Sequence, residues 1–247
     1  MRVFTGVGVA LVTLRDDRDV ADPAATGELA AQLVSRGMRA VLACGTTGEA
    51  GQLTGPQRAD VIAAVREAVP REVPVIAGTG ATSVAAAAQL TGDAVAAGAD
   101  AVLAWPPPEC ADLRGYYAAV GAAGSGVPAL AYHVPWVSAP GVPVQALFDL
   151  PVAGIKDSSG DPDRLLFEVA RYSGATYVGS SALLALAGPL GAAGAILAIA
   201  NVVPELCVAA FGGSAQAQLE LTDVHLAVRA GGPPSLRRML AAGAVMR

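Results

Sequence analysis

The sequence predicts an α/β fold, eight strands and their intervening helices closed into a (β/α)8 TIM barrel with a short C-terminal helical appendage. Three observations carry that prediction. The chain has 247 residues, close to the roughly 250 of one such barrel. Short apolar runs alternate with helical patterns almost from end to end, the signature of a parallel sheet covered by helices. One of the runs also repeats. Ala-Val-Leu-Ala at 40–43 returns at 101–104, a displacement of about 60 residues, or two strand–helix units of about 30 each.

The elements follow in order. A strand at 7–13 opens the chain. Residues 28–36 then place Leu29, Leu33 and Val34 on one helical face, with Gly37 as the C-cap. After a strand at 39–43, Thr54 and Gln57 fit a capping box, opening a helix whose inner stripe is Val61, Ile62, Val65 and Val69. A strand at 73–77 leads to Ser83, which caps an alanine-rich helix ending at Gly98. Strands follow at 101–104, 127–132, 152–156, 176–179 and 194–199, and the chain reads as helical from about 203. No linker, charge block or low-complexity tract divides it. We expect a single domain over 1–247, with a barrel core at 1–202 and C-terminal helices at 203–247.

Composition narrows the function classes. Hydrophobic residues make up 53% and charged residues 15%, and the mean hydropathy is +0.50. So apolar a chain either buries surface between subunits or meets a membrane. Two long windows, Arg114 to Asp149 and Arg171 to Glu205, carry no charge between their ends. Both are broken by glycine and proline, whereas a spanning helix needs about 20 apolar residues with an unbroken backbone ladder. Strands buried on both faces explain them better. The uncharged stretch from Val3 to Leu14 lacks a small-residue cleavage pattern and reads as a first strand rather than a signal peptide. A net charge of -5 argues against nucleic acid, which needs clustered cations. Cys44, Cys110 and Cys207 are odd in number and widely spaced, giving neither a disulfide framework nor a zinc pattern. A cytoplasmic protein with free thiols is expected.

In such barrels the reacting groups sit at the C-terminal ends of strands and in the loops that follow. Three constellations occupy those places: Gly45-Thr46-Thr47-Gly48-Glu49, Tyr132-His133-Val134-Pro135 and Gly154-Ile155-Lys156-Asp157. Of 16 cationic residues, Lys156 is the single lysine and the other 15 are arginine. Arginine serves wherever a solvated charge suffices, but its guanidinium is never usefully deprotonated. A buried lysine can shed its proton and attack a carbonyl to form an imine, an electron sink for making or breaking a C–C bond. The competing reading is a chance lysine, surface-exposed or structurally paired. Tyr132, ending the preceding strand, could shuttle the protons that imine formation requires, or could be a packing residue. The Gly-Thr-Thr-Gly turn offers converging N–H groups and two hydroxyls suited to a carboxylate, or is an ordinary turn. Their coincidence, in order on the right strands, favours the chemical reading of all three.

In that order the residues resemble the dihydrodipicolinate synthase/N-acetylneuraminate lyase family of pyruvate-dependent class I aldolases. Phe4-Thr5-Gly6, the 45–49 turn, Ala77-Gly78-Thr79-Gly80, Tyr132 to Pro135, Gly154 to Asp157, Gly194-Ala195-Ile196 and Ala200-Asn201 carry the resemblance over roughly residues 4 to 211. It implies that Lys156 is the Schiff-base lysine and Tyr132 the proton carrier. Thr46, Thr47 and Gly48 would hold the pyruvate carboxylate, with Thr47 also relaying protons to Tyr132. Ser180 and Ile196 would line the pocket. The resemblance further implies no metal or organic cofactor, a small 2-oxo acid plus an aldehyde as substrates, and a homotetramer or homodimer. No nucleic-acid or membrane partner is expected.

Departures from the family pattern matter as much. Trp105-Pro106-Pro107-Pro108 stands where the synthases carry a Thr-Pro-Tyr-Tyr string, so the relay tyrosine is missing unless Tyr116 or Tyr117 replaces it. Trp136-Val137-Ser138 stands where an arginine would grip the acceptor's carboxylate. His133 replaces a more usual asparagine, and a structural role is expected for it. Ser180 and Ser181 make the acceptor side neutral. The expectation is a lyase with another aldehyde partner rather than a true dihydrodipicolinate synthase. The alternative is an impaired 2-oxo-acid-binding member acting as a sensor or partner protein.

Overall fold

The computed structural model describes residues 2–243; the expected helical end at 244–247 lies outside the described residues. The eight strands are β1 (Gly6–Ala10), β2 (Val41–Ala43), β3 (Val75–Gly78), β4 (Ala101–Ala104), β5 (Ala129–His133), β6 (Gly154–Asp157), β7 (Ala175–Val178) and β8 (Gly194–Leu197). Each pairs in parallel with its neighbours in sequence, and β8 pairs with β1 to close the barrel.

The strands read as continuous apolar runs because both of their faces are covered. Period-two alternation sends Leu42, Ile76, Leu103, Leu130, Tyr132, Tyr177 and Ile196 into the barrel interior. Their neighbours Val9, Val41, Val75 and Leu197 pack outward, in a separate core with the helices. Phe4 stacks on Tyr177 with ring centroids 4.6 Å apart, and the Tyr177 hydroxyl donates to the Phe4 carbonyl at 2.9 Å. That pair lies at the end of the barrel where the strands begin.

The outer helices are α1 (Pro23–Ser35), α2 (Gly55–Ala68), α3 (Val84–Ala96), α4 (Leu113–Ala123) and α5 (Pro162–Arg171), then a single turn, α6 (Leu184–Ala187). The capping box of Thr54 with Gln57 and the Ser83 cap form as their sequences dictate. The first helix begins before residue 28, because Asp22 accepts from the Ala25 N–H and Pro23 supplies a ready-made first position.

The helical layer thins on one flank. No α-helix joins β5 to β6, only a 3-10 turn over Val144–Asp149. Pro135, Pro140, Pro143 and Pro151 punctuate this connection, and each removes an N–H and disfavours helix just before it. Beyond β8, α7 (Pro204–Phe211), α8 (Ala215–Glu220) and α9 (Thr222–Ala241) complete the chain, with α9 kinked at Gly232 before two prolines. Two links tie this region to the barrel mouth. Buried Asn201 accepts from the Val12 N–H at 3.1 Å and donates to the Ala10 carbonyl at 2.8 Å. Arg237 of α9 pairs with Glu49. Among the described residues no helix is long and apolar enough to cross a membrane.

Candidate active site

Lys156 and Tyr132 are register partners on adjacent strands, so both side chains enter the barrel at the same level. Lys156 is 3% exposed, and its Nζ lies 4.6 Å from the centroid of the Tyr132 ring. Space for the pair comes from position 179, at the end of β7. A Cβ there would collide with Ser158 Oγ and stand 3.0 Å from Lys156 Cε, so any side chain at 179 would displace the Ser158 hydroxyl.

The Tyr132 hydroxyl lies 3.4 Å from Thr46 Oγ1 and accepts from Ser158 Oγ at 3.3 Å. Burial pushes this phenol up. The Lys156 charge and the hydrogen bonds from Ser158, Thr46 and Lys156 outweigh it, and the net result lies below the ordinary value of 10.0. The other described tyrosines with perturbed hydroxyls move the opposite way, chiefly through burial.

The 45–49 turn is held in a demanding conformation. Cys44 and Glu49, which flank Gly45 to Gly48, both take left-handed backbone angles, with φ of 52° and 51°. Thr13 Oγ1 donates to the Gly48 carbonyl at 2.8 Å, and a Cβ on Gly48 would press on that hydroxyl at 3.2 Å and on the Leu11 carbonyl at 3.1 Å. The N–H groups of Thr46 and Thr47 enter no backbone hydrogen bond among the described residues. A cavity of about 330 Å³ opens over this turn, with Thr46, Tyr132, Leu103, Trp105, Val137 and Arg58 in its walls. Arg58 Nη2 donates to the Ala50 carbonyl at 2.6 Å. Lys156 itself does not line this cavity; it adjoins it through the Tyr132 ring, over which its Nζ lies.

The structure therefore brings Lys156, Tyr132 and Thr46 together, with Gly48 shaping the turn. The relay was expected through Thr47. The hydroxyl beside Tyr132 belongs to Thr46, because successive residues of a tight turn point in different directions. Ile196 packs in the same interior cluster as Tyr132. Ser180 caps the 3-10 turn after β7, accepting from the Ala182 N–H at 3.4 Å, and belongs to neither the hydrogen-bonded cluster nor the cavity wall. The hydroxyls of Tyr116 and Tyr117 are engaged by backbone carbonyls of the β4 end. The first donates to the Trp105 carbonyl at 2.7 Å and the second to the Ala104 carbonyl at 3.0 Å. His133 faces outward, its Nδ1 accepting from the Val142 N–H at 3.1 Å, and so pins the long β5–β6 connection. Ser158 and Gly179 went unnoticed in the sequence; the one signal was their place just after a strand end.

An eight-stranded parallel barrel with polar side chains gathered at the C-terminal ends of its strands is an enzyme scaffold. The model of the dihydrodipicolinate synthetase family matches residues 3–226, and the chain belongs to that family. Over 226 residues it is 37% identical to a 4-hydroxy-tetrahydrodipicolinate synthase of Thioalkalivibrio sulfidiphilus, covering 85% of this chain and 76% of the relative. Over 212 residues it is 35% identical to an uncharacterised DapA-like lyase of Halobacterium salinarum, covering 82% and 69%. Among solved structures it is similar to the chloride-inhibited dihydrodipicolinate synthase of Acinetobacter baumannii complexed with pyruvate (TM-score 0.86, 25% identity, covering 100% of this chain and 90% of that one). Dihydrodipicolinate synthase DapA-2 of Bacillus anthracis is similar as well (TM-score 0.88, 26% identity, covering 99% and 90%).

Proposed function

We propose that this family lyase works through an imine on Lys156, joining or cleaving pyruvate, or a related 2-oxo acid, and an aldehyde. The observation that carries the reading is the burial of the chain's single lysine against Tyr132, whose hydroxyl is held by Thr46 and Ser158. The unspent N–H groups of Thr46 and Thr47 suit a carboxylate beside that pair. Neutral Lys156 Nζ attacks the 2-oxo carbon, Tyr132 transfers the protons that carbinolamine formation and collapse require, and the iminium serves as electron sink. No metal or organic cofactor enters this mechanism. Incubation with pyruvate and borohydride should add one adduct per chain, mapped to Lys156 and abolished by Lys156→Arg. An unmodified wild-type protein under saturating pyruvate sinks the mechanism.

We take the acceptor to be neutral or apolar, so that the chain is not a true dihydrodipicolinate synthase. Arg58, the cation in the cavity wall, is tied to the Ala50 carbonyl, while Trp136 is exposed and Val137 lines the cavity where the synthases' arginine would stand. A charge-assisted hydrogen bond of that kind contributes about 1.5–3 kcal/mol, or about ten- to a hundredfold in affinity. Aspartate semialdehyde should therefore be turned over at least tenfold less efficiently than the best uncharged aldehyde supplied with pyruvate; efficient use of it would overturn this part of the reading. The engagement of Tyr116 and Tyr117 elsewhere favours one second reading, an impaired 2-oxo-acid binder acting as a sensor or partner. That protein would be trapped by borohydride yet turn over no aldehyde. Free Cys44, Cys110 and Cys207 fit a cytoplasmic, reducing setting.

A further inference from the structure

We infer that Ser158 is a positioning residue for Tyr132, its hydroxyl donating to the tyrosyl oxygen so that the phenolic proton is left free for the carbinolamine formed on Lys156. The inference rests on the imine reading above. A phenol has one proton to give and lone pairs that accept. While Ser158 Oγ donates at 3.3 Å, the tyrosyl proton is free to point elsewhere. Ser158 lies two residues beyond Lys156, so period-two alternation turns both toward the barrel interior. Its N–H donates to the His133 carbonyl at 3.0 Å, which continues the β5–β6 ladder and fixes its backbone. Gly179 leaves the room its hydroxyl occupies. Thr46, the other hydroxyl beside Tyr132, is solvent-exposed, whereas Ser158 is buried.

The step this arrangement serves is the collapse of the carbinolamine on Lys156. Tyr132 gives its proton to the carbinolamine hydroxyl, the C–O bond breaks, and water leaves. The nitrogen lone pair closes the C=N bond, so the products are an iminium, water and a tyrosinate. The tyrosinate then faces the iminium and two O–H donors, of which Ser158 is buried. The charge acting on Tyr132 is that of Lys156 on β6; its neighbours Ser158 and Thr46 are neutral hydroxyls. Because the other perturbed phenols are raised by burial, Tyr132 is the first of these to ionise as pH rises. That gives a signature separate from activity.

The test compares wild type with Ser158→Ala, Ser158→Thr and Ser158→Cys in the full chain. Three quantities are measured: borohydride trapping rate with pyruvate against pH, tyrosinate absorbance against pH, and thermal unfolding. Ser158→Ala should slow imine formation about ten- to a hundredfold and move the first tyrosine ionisation upward by about one to two pH units. Ser158→Thr should restore both, and Ser158→Cys, a weak donor of similar size, should fall between. Should the alanine variant fail to fold, the cysteine variant carries the comparison. Wild-type rate and an unmoved titration in Ser158→Ala overturn the inference. So do alanine and threonine variants that are equally slow with the wild-type titration, since lost packing would then be the cause. A wild-type protein that pyruvate does not label removes the imine reading itself, an outcome distinct from either.

Discussion

Glu168→Gln probes the one fully buried carboxyl behind the strand that carries Lys156. Glu168 is 0% exposed. Its Oε1 lies 2.9 Å from Arg164 Nε, and the buried Asp157 Oδ2 lies 3.3 Å from the same nitrogen. Two acids thus share one guanidinium. Burial, and then the Asp157 charge, push Glu168 from its ordinary 4.5 up to about 8, against the pull of Arg164. The sign follows from linkage. Below pH 4.5 the folded and unfolded chains both hold this proton. Between 4.5 and 8 the folded chain keeps it and the unfolded chain releases it, so stability falls as pH rises. At roughly 1.4 kcal/mol per pH unit, the loss across the window approaches about 5 kcal/mol. Glutamine has the shape of the protonated acid and no charge to uncover. The variant should match wild type to within about 1 kcal/mol near pH 5 and exceed it by several kcal/mol above pH 8. Urea unfolding from pH 5 to 9, with an unchanged denaturant slope, measures the difference. His133 is held below its usual value by burial and Arg164, and so titrates with the opposite sign. It is present in both proteins and largely cancels. Parallel curves for the two proteins would refute the reasoning.

Two further outcomes are expected. Gly179→Ala forces a methyl onto Ser158 Oγ and against Lys156 Cε; pyruvate trapping should drop by at least about a hundredfold, the scale of a positioned acid–base group, while circular dichroism stays native, and a wild-type trapping rate would contradict the packing argument. The thin helical flank leaves Phe148, Leu166 and Phe167 exposed, with the two rings edge to face at 6.3 Å. We propose that a second copy of the chain covers them in a homodimer or homotetramer, and sedimentation that finds a stable monomer at micromolar concentration would count against it.

The eight strands and most of their helices were legible in the amino-acid order because the signals were local. A strand covered on both faces must be apolar throughout, and the Thr54–Gln57 box and the Ser83 cap satisfy N–H groups within their own first turns. Lys156 was legible as the candidate nucleophile through chemistry, since arginine cannot replace an amine nucleophile. The failed helix between β5 and β6 was also written locally, in Pro135, Pro140, Pro143 and Pro151, but the barrel rhythm masked it.

What the sequence alone determined is the barrel, the order of its strands, and the placing of Lys156 and Tyr132 at neighbouring strand ends. Tertiary structure decided which neighbours those two residues have. Thr46 rather than Thr47 meets the phenol, because the turn's direction depends on Cys44 and Glu49 in left-handed conformations and on Arg237, 188 residues beyond Glu49 in the chain. Ser158 reaches Tyr132 because position 179, just past the end of the next strand, has no side chain. These contacts join residues far apart in sequence, and no periodicity or motif within a single segment encodes where another segment's atoms will lie.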